Sequence, residues 1–238
     1  MREFNLLEGL PESKTIREVS PTTRTIKNRI IASERGEEFY DGDRNNGYGG
    51  YVYDGRWEPV AYTIVNTYRP DSILQVGTEK GYLLYELNKI SSGFFLRGTE
   101  VSDYALDETP IHIKNKISKV SSLAQFPFGD NNFDFIVMLG MYSLNLEDVI
   151  FTLKEIQRVG RGKSFITLGA FETEEEESLF RQWSLLGTTI LSKNDWREVL
   201  EYVGYTGDYW FTTAKTLNLV STLKEFPKDI FSHLRDNA

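Results

Sequence analysis

The ten residues Ser72–Gly81, SILQVGTEKG, constrain this chain more than any others. Ile73, Leu74 and Val76 make an apolar strand that runs into a turn holding Gly77 and Gly81, and the helix-like run YLLYELNKI follows. A second apolar run, Phe94–Leu96, leads through Gly98 to the acidic Glu100, about twenty residues beyond the glycines. Strand, glycine turn, helix, strand and carboxylate together make a β-α-β unit suited to holding a nucleoside. Glycine lets the backbone come close to the ligand, and a carboxylate at the tip of the second strand accepts hydrogen bonds from ribose hydroxyls.

More β-α units follow the same grammar. PVAYTIVNTY has apolar residues at helical spacing and ends before Pro70, which predicts a helix over 58–68 ahead of the first strand. A short helix is expected near 103–108. The unbroken apolar run FDFIVML, 133–139, reads as a strand buried on both faces of a parallel sheet. Residues 147–159 form an amphipathic helix that stops at Gly160 and Gly162, and 163–168 (KSFITL) form the next strand. The acidic run ETEEEES suits a helix N-terminus, where the dipole favours negative charge. SKNDWREVLEYVG opens with an N-cap at Ser192 or Asn194 and closes at Gly204, and YWFTTA reads as a terminal strand.

Composition narrows the function classes. The chain has 238 residues, 40% hydrophobic and 26% charged, as in ordinary globular proteins. Its net charge of -8 argues against nucleic acid as the main partner, because phosphate binding needs a basic face; a local basic patch is still allowed. Cysteine is absent, which rules out disulfides, thiolate nucleophiles and Cys-ligated metals and suits a reducing, cytoplasmic setting. Only His112 and His233 are present, so no His-rich metal site is expected; His112 reads as a surface or edge residue. No stretch approaches the roughly 18 apolar residues of a membrane helix. Residues 1–38 read as an N-terminal arm or helix available for contacts in a homo-oligomer, 39–214 as the main domain, and 215–238 as a C-terminal extension. Within the domain, 39–57 (FYDGDRNNGYGGYVYDGRW) is too rich in glycine for a helix and reads as a structured aromatic loop.

These segments in series resemble a class I S-adenosylmethionine-dependent methyltransferase, over roughly 39–213. ILQVGTEKGYLL resembles the family's first motif, GTEVSDYAL the end of its second strand, FPFGDNNFDFIVM the run entering its fourth strand, and LKEIQRVGRGKSFITL the helix and strand after it. The segment FYDGDRNNGYGGYVYDGRWEPVA is similar to the opening of a bacterial subgroup associated with sugar or cell-surface polysaccharide biosynthesis. The resemblance implies a Rossmann-like, seven-stranded, mostly parallel α/β sheet flanked by helices and closed by an antiparallel hairpin.

It also implies a site. S-adenosylmethionine would lie against Gly77, Thr78, Glu79, Gly81, Glu100, Val101, Ser122, Leu123 and Leu139. Tyr48, Tyr51, Arg56 and Trp57 of the aromatic loop would close over cofactor or substrate, and Tyr142, just beyond the fourth strand, would orient the nucleophile. The expected partner is a small-molecule methyl acceptor, with neither nucleic acid nor membrane involved and no metal. Departures from the family's pattern are Gln75 for its acidic residue, Glu79 for its middle glycine, Ser122-Leu123 for an Asp and a small residue, and Gly140 and Ser143 for Asn or His. They leave two readings: a methyltransferase acting on oxygen or nitrogen of a small molecule, or a non-catalytic relative serving as scaffold or partner subunit. An NAD-dependent enzyme, which shares the glycine turn and the acid, is a third.

Overall fold

One helix ends at Tyr68, just before Pro70, and the five residues Ser72–Val76 are buried without exception, so the chain passes from a covering helix into the centre of a sheet within a few residues. The computed structural model describes residues 1–11, 17–20 and 22–222. The elements up to the second β-α unit are β1 (Arg2–Glu3), β2 (Arg17–Val19), α1 (Ile26–Ser33), α2 (Glu37–Tyr40), α3 (Glu58–Tyr68), β3 (Ser72–Val76), α4 (Tyr82–Ile90) and β4 (Phe95–Glu100). Then come α5 (Asp103–Asp107), α6 (Ile111–Lys114), β5 (Ile117–Lys119), β6 (Phe135–Met138), a 3-10 turn at Met141–Ser143 and α7 (Leu146–Val159). The remainder is β7 (Ser164–Phe171), α8 (Glu174–Trp183), β8 (Leu191–Ser192), α9 (Lys193–Tyr202), β9 (Asp208–Thr212) and β10 (Leu219–Ser221).

The main sheet runs β1-β9-β7-β6-β3-β4-β5, seven strands in order, with β8 pairing beside β7; β2 and β10 form a separate two-stranded sheet. Every pairing is parallel. The Rossmann-like architecture is as the resemblance implies, with one difference. Among the described residues no antiparallel closing hairpin is formed, because β9 pairs β7 directly and in parallel. Helix α9 carries the chain back across the sheet before β9, and a helical crossover delivers a parallel strand. Beyond β9 a Thr213–Thr216 turn, with mutual main-chain to hydroxyl bonds at 2.8 and 3.2 Å, sends the chain away to β10 instead of back along the edge. The seventh strand is supplied by the N-terminal residues Arg2–Glu3, so part of the 1–38 arm is built into the sheet.

Alternation along the strands divides the core. Leu74, Val76, Ile136, Met138, Ile166 and Leu168 face one layer with α7 and α9, and Ile73, Phe135, Val137 and Phe165 face the other with α3 and α4. Trp196 is fully buried in the first layer, and its Nε1 donates to the Gly169 carbonyl at 2.7 Å. Asp134, from the run that resembles the fourth-strand motif, proves to be a staple. Its carboxylate accepts from the main-chain N–H of Asp71 and Ser72 at 3.1 and 3.0 Å, from the Ser72 hydroxyl at 2.8 Å and from Arg161 at 2.6 Å. Asp130 pairs with Arg158 at 2.7 Å.

Ser192 is the N-cap of α9, its hydroxyl accepting from the Asp195 N–H at 3.1 Å. His112 lies in the short helix α6, exposed as expected. His233 and the end of the expected extension lie outside the described residues. Among the described residues no helix is long and apolar enough to cross a membrane.

Candidate functional site

The strand order reverses between β3 and β6, and in open parallel sheets a ligand crevice forms outside the carboxyl ends at that point. Val76 pairs with Met138 at the strand ends, so the turn at Gly77–Gly81 and the turn at Gly140–Ser143 leave the sheet side by side. Gly77 and Gly81 both have positive φ, 70° and 77°, the left-handed region that glycine adopts without strain. The main-chain N–H groups of Gly77 and Thr78 donate to the Thr99 carbonyl at 2.9 and 3.1 Å, tying the turn to β4.

Glu100 stands at the tip of β4, but its carboxylate is already engaged. It accepts from the main-chain N–H of Glu79 at 2.6 Å, of Val101 at 2.8 Å and of Ser102 at 2.9 Å. It is 1% exposed. Helix α2 and the residues before it provide the cover: the Ser102 hydroxyl donates to the Arg35 carbonyl at 2.6 Å, and Tyr40 is fully buried, close enough to feel the charges of both Glu79 and Glu100.

Glu79 takes the place where a glycine is expected and, at φ 52°, holds a conformation that costs a side-chain-bearing residue about 1–2 kcal/mol. Its carboxylate accepts a hydrogen bond from the Tyr48 hydroxyl. Tyr48 stacks on Tyr51 with ring centres 4.6 Å apart and on Tyr40 at 5.8 Å. Burial raises the Glu79 carboxyl to about 6; the Tyr48 and Tyr51 hydroxyls oppose this and the nearby Glu100 charge adds to it. The loop itself is anchored by Asp41, which accepts from the Tyr51 N–H at 2.9 Å, the Tyr104 hydroxyl at 2.7 Å and the buried Lys80 at 2.5 Å.

Leu123 is buried, and a Cβ placed on Gly77 would come within 3.3 Å of its Cδ1. Ser122 turns away into a local turn, its hydroxyl accepting from the Ala124 N–H at 3.1 Å. Thr78 is buried under β4, with its methyl 2.4 Å from where a Cβ on Gly98 would lie. Val101 and Leu139 are half-buried and pack on the two core layers. Thus Glu79 and Glu100 meet at the turn beneath Tyr48 and Tyr51, and Leu123 lies beside Gly77, while Gly77, Glu79 and Tyr48 are half-buried. Two surface hollows of about 480 and 500 Å³ lie elsewhere, one lined by Val65, Arg69 and Phe94, the other by Lys119, Phe126 and Phe151.

Arg56 does not join the group, whereas Trp57 packs at its edge against the cluster that holds Tyr51. Arg56 forms an exposed pair with Asp54 at 2.6 Å, and Trp57 packs between the α3–α4 layer and the aromatic loop. Tyr142 does lie at the crevice. Its ring sits edge-on to Phe180 at 5.4 Å, its carbonyl accepts from Thr188 and Thr189, and its hydroxyl makes no hydrogen bond among the described residues. Burial pushes this phenol up to about 12; the Glu79 charge adds to that, while Arg17, Arg24 and Arg35 oppose it. Those arginines were not singled out in the sequence. The signal available was a run of cations, Arg17, Arg24, Arg29 and Arg35, in an otherwise acidic chain.

No protein-family model matches the chain, and no curated protein matches it. Among solved structures it is similar to the putative methyltransferase in complex with the Trm112 methyltransferase activator from Haloferax volcanii, at 18% identity and a TM-score of 0.44, covering 62% of this chain and 72% of that one. It is similar to PigF with SAH at 13% identity and a TM-score of 0.44, covering 75% and 62%. It is similar to a putative methyltransferase from Bacillus halodurans C-125 at 17% identity and a TM-score of 0.43, covering 56% and 62%. The match therefore spans less than two thirds of the latter two chains. Likenesses this distant concern the fold alone.

Proposed function

We propose that this chain is a non-catalytic protein of the class I methyltransferase fold, a scaffold or partner subunit whose nucleoside cradle is closed by its own side chains. One observation carries the reading. The Glu100 carboxylate, which would have to hold the ribose, already accepts from three main-chain N–H groups and is buried away from solvent. The departures from the family pattern fall where an adenosyl group would lie. Glu79 and Leu123 bring bulk there, and Ser122 presents no acid to an adenine amino group. By contrast Phe133 and Asp134, which match the pattern, build the core and the sheet, and Asp130 pairs with Arg158 at the surface. S-adenosylmethionine does not fit residues placed in this way. Thermal unfolding with and without 1 mM S-adenosylhomocysteine tests the reading: the midpoint should not move, and a concentration-dependent rise of several degrees would refute it.

A second reading has one observation in its favour. The Tyr142 hydroxyl, which has no hydrogen-bond partner among the described residues, stands at the carboxyl ends of the strands, where a methyl acceptor would be oriented in a small-molecule O- or N-methyltransferase. In that reading α2 and the 39–57 loop swing outward, Tyr48 releases Glu79, and the same thermal experiment gives the opposite result.

A further inference from the structure

We propose that Arg17 and Arg24, which share the face of Trp183, form with Arg44 of the aromatic loop a binding site for a multivalent oxyanion of the phosphate-ester class. The site would border the closed cradle, and because Arg44 belongs to the 39–57 loop it rests on the reading in which that loop stays closed.

Arg17 and Arg24 share one aromatic support. Their guanidinium carbons lie 5.7 and 5.2 Å from the centre of the Trp183 ring. Elsewhere cations find carboxylates, as at Arg2–Asp208, Arg158–Asp130 and Arg161–Asp134. Here none does: among the described residues neither Arg17, Arg24 nor Arg44 has a carboxylate within ion-pair distance, and their acceptors are main-chain carbonyls. Arg17 donates to Leu217 at 3.3 Å, Arg24 to Trp183 at 2.5 Å, and Arg44 to Tyr48. The Arg17 Nε is buried with no acceptor among the described residues. A buried donor left unmade is costly, and a guanidinium fork with free N–H groups is shaped for a planar or tetrahedral oxyanion.

Charge supports the geometry. Burial lowers Arg24 to about 10, and Arg44, Arg17 and Arg29 add repulsion. Burial and the Arg44 charge likewise lower Arg17. Three like charges near one another, with no carboxylate partner among the described residues, favour a ligand of charge two or more over a single carboxylate. Arg29 is excluded from the site because it is spent on main-chain carbonyls at the carboxyl end of α8, among them Arg181 at 2.9 Å. The location also suits a ligand. Arg17 and Arg24 act on the Tyr142 hydroxyl at the carboxyl ends of the strands, and Arg44 projects exposed from the aromatic loop, leaving an approach from solvent.

Titration calorimetry of inorganic pyrophosphate into the full chain at low ionic strength tests the site, with sodium citrate titrated in parallel. The expected result is saturable one-to-one binding with Kd below about 1 mM, weakened by added salt, and a change in tryptophan emission that Trp183→Phe abolishes. Arg17→Gln and Arg44→Gln should each weaken pyrophosphate binding about tenfold or more. Arg44 is exposed, so its variant keeps the fold if Arg17→Gln does not. No saturable binding, or the same Kd in the wild type and Arg44→Gln, would overturn the proposal. Citrate binding more tightly than pyrophosphate would overturn the phosphate class.

Discussion

Replacing Glu79 by glutamine isolates the charge held under the tyrosines. Glutamine keeps the side-chain length, and its carbonyl oxygen can still accept from the Tyr48 hydroxyl, so the change removes the negative charge and little else. In the wild-type fold the carboxyl titrates at about 6 against its ordinary 4.5. The native state then binds more protons than the unfolded chain between those values, so this group costs stability as pH rises through that window. Fully developed, the difference is worth about 2 kcal/mol. Water reaching the half-buried side chain reduces it to about 1–2 kcal/mol. Glu100, Arg35, Tyr48 and Tyr51 all face the carboxyl and are the same in both proteins, so subtracting one curve from the other cancels their own titrations. Urea unfolding of both proteins from pH 4 to pH 8 is the assay. The gap should open in favour of Glu79→Gln by about 1–2 kcal/mol across that range. A gap independent of pH, or one opening in favour of the wild type, would mean that the carboxylate is solvated and the cover over the turn is not in place.

Other perturbations probe neighbouring parts of the account. Tyr48→Phe removes the donor to Glu79 and should cost about 1.5–3 kcal/mol at pH 8, less at pH 5 where the carboxyl is protonated, by chemical denaturation. Asp134 has the opposite sign. Burial would raise it, but Arg161 and the Ser72 and Asp71 donors outweigh that and hold it at about 2. Asp134→Asn should therefore cost about 2 kcal/mol at pH 7, with the gap to wild type closing as pH falls through the native value. Trp196→Ala leaves a large cavity and orphans its bond to Gly169, and should cost about 3–5 kcal/mol in the same assay.

Much of the fold is written locally. Helix α3 ends at Tyr68 because Pro70 follows, β3 is a short apolar run that must be buried, and α7 carries its own stripe of Val149, Leu153 and Ile156. Strand β5 escaped because Ile117–Lys119 is three residues long and mostly exposed, leaving no apolar run to detect. The closing strand was expected at the right place but with the wrong neighbours. Its pairing depends on α9 and on the turn at Thr213, not on its own residues.

The site divides in the same way. Glycine turn and carboxylate can be read from spacing, and Gly77, Glu79 and Glu100 do meet. Whether a carboxylate is free to bind depends on which N–H groups surround it in the folded chain, and three of them claim Glu100. The arginine group was hidden for a related reason. Arg24 and Trp183 are separated by 159 residues and meet only because the N-terminal arm folds across α8.

Calorimetric titration of S-adenosylhomocysteine into the wild-type protein at pH 7.5 puts the closed cradle to the most direct test. No binding heat is predicted at ligand concentrations up to 1 mM, which places any Kd above about 1 mM. A saturable isotherm with one site per chain and Kd in the micromolar range would contradict it, since the ribose of such a ligand would need a Glu100 carboxylate that lies buried on its own main-chain N–H groups.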